Sequence, residues 1–162
     1  MAKLFLMCGI PGSGKSTWAK NHLHKNAQYV SRDDIRFSYI AEGEEYFSRE
    51  GEVWETFVKT INTNLELGYD TFADATHINP ASRKKLLNQI KNYESVEAIF
   101  IDTPLSIALE RNELRKDTER YVPRSVIRRM SSQLEEPTFL EGFSAIYVVR
   151  PDTKIEIRKE HF

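Results

Sequence analysis

The chain has 162 residues, 40% apolar and 29% charged, enough to close one core and too short for several. Its 23 lysines and arginines stand against 24 aspartates and glutamates, a formal charge of -1, which excludes a long electrostatic grip on duplex nucleic acid. Its one cysteine, Cys8, excludes an internal disulfide framework, and no apolar run reaches the ~18 residues of a membrane span. The expectation is one domain over residues 1–162, cytoplasmic and without contact to a membrane.

Leu4 to Cys8 is an apolar run of strand length, and Gly9 to Ser16 follows it as a glycine-rich turn. Thr17 to Lys25 then reads as a helix, and Ala27 to Val30 as a second strand. Val53, Trp54, Phe57, Val58, Ile61 and Leu65 recur at three-to-four spacing, the pattern of a helix with one buried face, which Gly68 can end. Thr71 to Ala73 is a third apolar run, and Asn79-Pro80 reads as an N-cap followed by proline at the first helical position. Val96 to Ile101 is a fourth run, after which Thr103-Pro104 repeats the capping signal. Pro123 opens a helix that buries Val126, Ile127, Met130 and Leu134, and Ala145 to Val149 is the fifth run. Asp152 to Phe162 is weakly patterned and receives no role. Short apolar runs separated by crossover helices predict an α/β fold, a five-stranded parallel sheet with helices on both faces.

Three of the seven glycines, Gly9, Gly12 and Gly14, fall within six residues. Gly9-Ile10-Pro11-Gly12-Ser13-Gly14-Lys15-Ser16 fits G-x-x-x-x-G-K-[ST] between a strand and a helix, the arrangement of a P-loop. Its glycines let backbone N–H groups converge on a polyphosphate, and the helix N-terminus at Ser16 and Thr17 adds partial positive charge. Lys15 can reach the β- and γ-phosphates and Ser16 can ligate Mg²⁺, so ATP and Mg²⁺ are the expected ligands. The chain lacks the D-x-x-G and N-K-x-D motifs expected of a GTPase. The strand-end carboxylates Asp74 and Asp102 are followed by Ala75 and Thr103 rather than by a water-activating glutamate. Transfer of a phosphoryl group to a bound hydroxyl is therefore expected. Asp33, Asp74 and Asp102 each follow an apolar run, so a parallel sheet would line them along the P-loop edge.

Asp33 and Arg36 are three apart on a predicted opening turn and share a face, so one can take a hydroxyl proton while the other holds an anion. The competing reading has Asp33 as a helix cap and Arg36 in solvent. Between Glu110 and Met130 there are seven basic side chains against four acids, which suits a mobile segment that stabilises transferring phosphate. Lys116, Arg124 and Arg129 are expected on its solvated face.

Taken in order, several segments resemble the kinase domain of phage 5′-hydroxyl polynucleotide kinase and bacterial polynucleotide kinase–phosphatase. They are the P-loop with Trp18-Ala19-Lys20, Arg32-Asp33-Asp34-Ile35-Arg36, Asp74-Ala75-Thr76 with Asn79-Pro80-Ala81-Ser82-Arg83, Glu110-Arg111-Asn112, and Val126-Ile127-Arg128. The resemblance implies an adenylate-kinase-like fold with an arginine-bearing lid at residues 111–130, moving the ATP γ-phosphate to a 5′-OH end. It implies Asp33 as general base, Arg36 on the acceptor's 3′-phosphate and Arg128 as a catalytic lid arginine on the donor phosphates. Arg111, Arg115 and Arg120 would be further nucleotide-binding lid arginines. Asp74 and Thr76 would lie beside the acceptor, with Asp74 joining Ser16 at the metal. His77 departs from the asparagine common at its place. Two other functions fit the P-loop: a kinase for a small-molecule alcohol such as a sugar, nucleoside or antibiotic, and a nucleotide-binding regulatory module without turnover. The Asp33/Arg36 pair discriminates among the three.

Overall fold

The computed structural model describes residues 1–151 and 155–159. Its strands are β1 (Ala2–Cys8), β2 (Ala27–Ser31), β3 (Asp70–Asp74), β4 (Tyr93–Ile101), β5 (Ala145–Val149) and β6 (Ile155–Lys159). Its α-helices are α1 (Lys15–His22), α2 (Arg32–Tyr39), α3 (Glu50–Glu66), α4 (Pro80–Leu87), α5 (Leu105–Glu113) and α6 (Arg124–Gln133). A 3₁₀ turn occupies Phe139–Glu141. The sheet runs β2-β3-β1-β4-β5-β6, with β1 to β5 parallel as the apolar runs predict.

β6 is a strand that patterning did not find, since it lies within Asp152–Phe162, to which no role was given. It pairs antiparallel with β5, as the last strand of the order, and four of its five residues are exposed. An exposed edge strand needs no apolar period, so backbone pairing alone accounts for it. Residues 152–154 and 160–162 of that stretch lie outside the described residues.

The strands bury both faces. Leu4, Leu6 and Cys8 of β1 pack with Phe57, Ile61 and Leu65 of α3 and Leu86 of α4, while Met7 joins Phe72, Ile99 and Ile101 under Ala19 of α1. That division follows from strand periodicity, because successive side chains point to opposite faces. Of the predicted α3 face, Val53, Phe57, Ile61 and Leu65 are buried, and Trp54 and Val58 pack beside them half-buried. On α6 only Ile127 is fully buried; Val126, Met130 and Leu134 pack from the side.

Helix ends follow local chemistry. Asn79 caps α4 through Oδ1, which accepts from Ser82 N at 2.8 Å, while Ser82 Oγ accepts from Asn79 N at 3.3 Å. The matching expectation at Thr103 fails: Pro104 takes the cap position of α5, and Thr103 Oγ1 donates to Ser13 O at 2.8 Å. A hydroxyl that fits a cap serves the P-loop instead.

The register sets the site. Met7 of β1 and Ser31 of β2 both pair with Asp74 at the end of β3. The P-loop, the Asp74 carboxylate and the start of α2 therefore leave the sheet at one edge, the carboxyl ends of its parallel strands.

Candidate active site

The P-loop is tied to its neighbours through backbone groups. Gly9 N donates to Thr76 O at 3.0 Å, and Ser13 O accepts from Arg111 Nη1 at 3.0 Å as well as from Thr103. Gly12 has φ 81°, and a Cβ there would lie 2.6 Å from the Ala108 carbonyl oxygen of α5. Only glycine fits both the backbone and that contact. Lys15 Nζ folds over the loop and donates to Gly9 O at 2.9 Å and Ile10 O at 3.0 Å. Burial pushes its ammonium below the usual lysine range, with Asp74 and Asp33 acting against that shift.

A cleft of about 370 Å³ runs from Gly12, Gly14, Lys15 and Ser16 past Asp74, Asp33 and Asp34 to Arg115 and Arg120. Asp74 is buried, and its Oδ2 accepts from the Tyr29 hydroxyl. Burial pushes the Asp74 carboxyl upward, opposed by Lys15 and the Tyr29 hydrogen bond. Ser16 and Asp74 share this cleft, and no cluster of three His, Cys, Asp or Glu occurs among the described residues. One hydroxyl with one carboxylate is a hard oxygen donor set that suits Mg²⁺ held jointly with substrate phosphates.

A second cleft of about 280 Å³ opens beside the first and shares Lys15, Asp33 and Asp74 with it; Arg32, Arg36, Tyr46, Glu50 and Thr76 complete its polar wall. Ser31 Oγ caps α2 by accepting from Asp34 N at 3.1 Å, so Asp33 is not the cap. Asp33 is exposed and Arg36 is buried, the reverse of the competing reading. Asp33 Oδ1 accepts from Arg36 Nη1 and, at 3.0 Å, from the Tyr46 hydroxyl. Arg36 Nε donates to Glu50 Oε1, and its guanidinium lies 4.6 Å from the Tyr46 ring centroid. Burial opposes ionisation of Glu50, yet Arg36 and Arg32 outweigh it and hold the carboxyl below its usual range.

A broader depression of about 700 Å³ lies across the P-loop, walled by Thr17, Trp18, Arg111, Leu114, Arg115 and Arg150. The lid expectation is met unevenly. Arg111 and Arg115 border this depression, Arg115 and Arg120 border the first cleft, and Arg120 pairs with Asp34 at 2.8 Å and lies 4.8 Å from the Phe37 ring. Arg128 is exposed on α6 and belongs to neither cleft. Lys116, Arg124 and Arg129 are exposed as expected. Asp102 stands apart from both clefts, with Arg150 at 3.9 Å.

Sequence reasoning missed Tyr29, Tyr46 and Glu50. Tyr46 sits in an aperiodic stretch between α2 and α3, and no local spacing joins Glu50 to Arg36 across it. His77 is buried with φ 40°; its Nδ1 donates to Met7 O at 2.7 Å and Nε2 has no partner among the described residues. Burial pushes its pKa down to about 4.

A mostly parallel sheet with helices on both faces, a P-loop after its first strand and carboxylates on the same edge define a P-loop nucleotide-binding protein with the fold of the P-loop kinases. Residues 4–137 match the model of the AAA_33 family, described as an AAA domain, and the chain belongs to that family. A relative from Methanococcus maripaludis, L-seryl-tRNA(Sec) kinase, is 27% identical over 146 residues, covering 83% of this chain and 53% of the relative. The chain thus spans about half the length of that protein. Among solved structures, one from the Pnkp1/Rnl/Hen1 RNA repair complex superposes with TM-score 0.71 at 24% identity, over 82% of this chain and 44% of that one. Chaetomium thermophilum Kti12 in complex with ADP-AlF3 gives TM-score 0.69 at 18% identity, over 93% and 90%. At these identities the structural matches speak for the fold.

Proposed function

We propose that the protein is an ATP-dependent kinase that transfers the γ-phosphoryl group to a hydroxyl, with the 5′-OH end of a polynucleotide as the favoured acceptor. One observation carries this reading: Asp33, exposed and held at Oδ1 by Arg36 and Tyr46, shares a cleft with Lys15 and Asp74 of the P-loop edge. Two donors on Oδ1 leave Oδ2 to accept the acceptor's hydroxyl proton. As that oxygen bonds to the γ-phosphorus, the bond from phosphorus to the β–γ bridging oxygen breaks and ADP departs. Lys15 stabilises charge on the transferring group, and Arg111, Arg115, Arg120 and Arg128 are proposed to add to it as the lid settles. Mg²⁺, held by Ser16 and Asp74 with the phosphates, would neutralise charge on the β- and γ-oxygens. The names of the tRNA kinase relative and of the RNA repair complex agree with a nucleic-acid acceptor.

A small-molecule alcohol is the second reading, and one feature favours it. The groove beyond Tyr46 is lined by Phe37, Tyr121, Glu42, Glu44 and Glu119, and its carboxylates would repel a run of strand phosphates. The deciding test incubates the protein with γ-labelled ATP, Mg²⁺ and a panel of 5′-OH oligonucleotides, nucleoside 3′-monophosphates, nucleosides and sugars. Label on the oligonucleotides supports the first reading and label confined to sugars or nucleosides the second. Hydrolysis alone, or no consumption of ATP, rejects hydroxyl transfer.

A further inference from the structure

Arg32 and Arg36 stand four residues apart on α2, one above the other on the face toward the second cleft. Both are tied to Glu50 at the start of α3: Arg32 Nη2 donates to Oε2 at 2.9 Å and Arg36 Nε to Oε1. Two guanidiniums on one carboxylate leave a local surplus of one positive charge. Aromatic rings fix both, with Trp54 at 5.1 Å from Arg32 and Tyr46 and Phe47 at 4.6 and 5.4 Å from Arg36. Arg32 Nε is buried and has no partner among the described residues. Arg36 spends Nε on Glu50 and Nη1 on Asp33 and Tyr46, which leaves Nη2 without a protein acceptor among them. A buried cationic N–H without an acceptor is costly, and in a cleft wall it marks where a ligand supplies one.

Resting on the reading of this cleft as the acceptor site, we infer that Arg32 joins Arg36 in a two-armed site for one phosphate group carried by the acceptor near its reacting hydroxyl, with Glu50 as the positioning residue. A phosphate offers several oxygens in different directions, which suits two separately anchored guanidiniums, whereas a carboxylate is matched by a single fork. Asp33 lies between this site and Lys15, so an anchored phosphate would place the neighbouring hydroxyl at the base.

The test measures binding by calorimetry with ADP and Mg²⁺ saturating, so that the P-loop does not capture the probe. Thymidine 3′-monophosphate should bind the wild type at least about tenfold tighter than thymidine, the worth of a charge-assisted contact. Arg32→Gln and Glu50→Gln should each reduce that ratio to within about threefold of unity. Arg32→Lys, which retains a charge for Glu50 but loses the fork, should fall between and guards against a fold defect. In turnover, KM for the phosphorylated acceptor should rise while kcat holds. A wild type that binds both probes equally, one that prefers a carboxylate-bearing analogue, or arginine variants that bind like the wild type would each overturn the site. Selective binding with no transfer of label would leave the phosphate site standing and reject the hydroxyl-transfer reading alone.

Discussion

The two sides of the cleft are built differently. The donor side is backbone: glycines 9, 12 and 14, carbonyls that accept from Lys15, Thr103 and Arg111, and a Cβ-free approach of Gly12 to α5. The acceptor side is side chains, a chain of contacts from Asp33 through Arg36 and Tyr46 to Glu50 and Arg32. A backbone cradle can bind any polyphosphate of the right span, whereas a side-chain lattice can be re-tuned one residue at a time. Nucleotide capture and acceptor choice are thereby physically separable.

Substitutions on the two sides should separate them. Asp33→Ala should lower kcat by about 10²–10⁴ while the nucleotide Kd stays near wild type, because it removes only proton acceptance; unchanged turnover would take Asp33 out of the chemistry. Behind the acceptor side, Arg83 is fully buried, donating to Glu141 Oε1 at 2.6 Å, His77 O at 2.7 Å and Glu135 O at 3.1 Å. Arg83→Met should cost about 3–5 kcal/mol in denaturant unfolding, since it strands Glu141 and two carbonyls. Gly12→Ala should do the opposite of the Asp33 variant. It should weaken nucleotide binding roughly tenfold or more, because the loop must shift away from Ala108 and Ala resists a positive φ. A variant with wild-type nucleotide affinity would show that the cradle tolerates that movement.

The smallest effect concerns pH. His77 titrates near 4 in the folded chain and at 6.5 when free, so the unfolded state binds more protons between those values. Stability should therefore be full above about pH 6.5 and fall towards pH 4, by at most about 1.4 kcal/mol per unit. His77→Asn, which tolerates the left-handed backbone, should flatten that slope in urea titrations at pH 4–7. A slope that persists would assign it to other groups.

The contrast between the sides also explains what could be read in advance. The parallel strands and the P-loop were legible because alternating apolar runs and a glycine-spaced loop are local patterns. Asp33 and Arg36 were legible as a pair because one helical turn relates them. Glu50 was not, since it meets Arg36 only after the aperiodic stretch carrying Tyr46 folds back, and its position in the first turn of α3 reads equally as an ordinary N-terminal acid. Arg120 was read as a phosphate ligand, and its proposed role now requires leaving Asp34 first. β6 was illegible because a solvent-facing edge strand has no buried face to impose a period.

At the root of the lid, Asn112 Nδ2 donates to Val122 O at 2.7 Å and Asn112 Oδ1 accepts from Val122 N at 3.0 Å, both buried. That reciprocal staple turns residues 113–121 into a closed ring with a fixed waist. Ala108, pressed against Gly12, immobilises the stem below it. Arg115 and Arg120 can therefore swing without disturbing the loop that grips the nucleotide, while Arg111, below the waist, stays fastened to the cradle whatever the ring does.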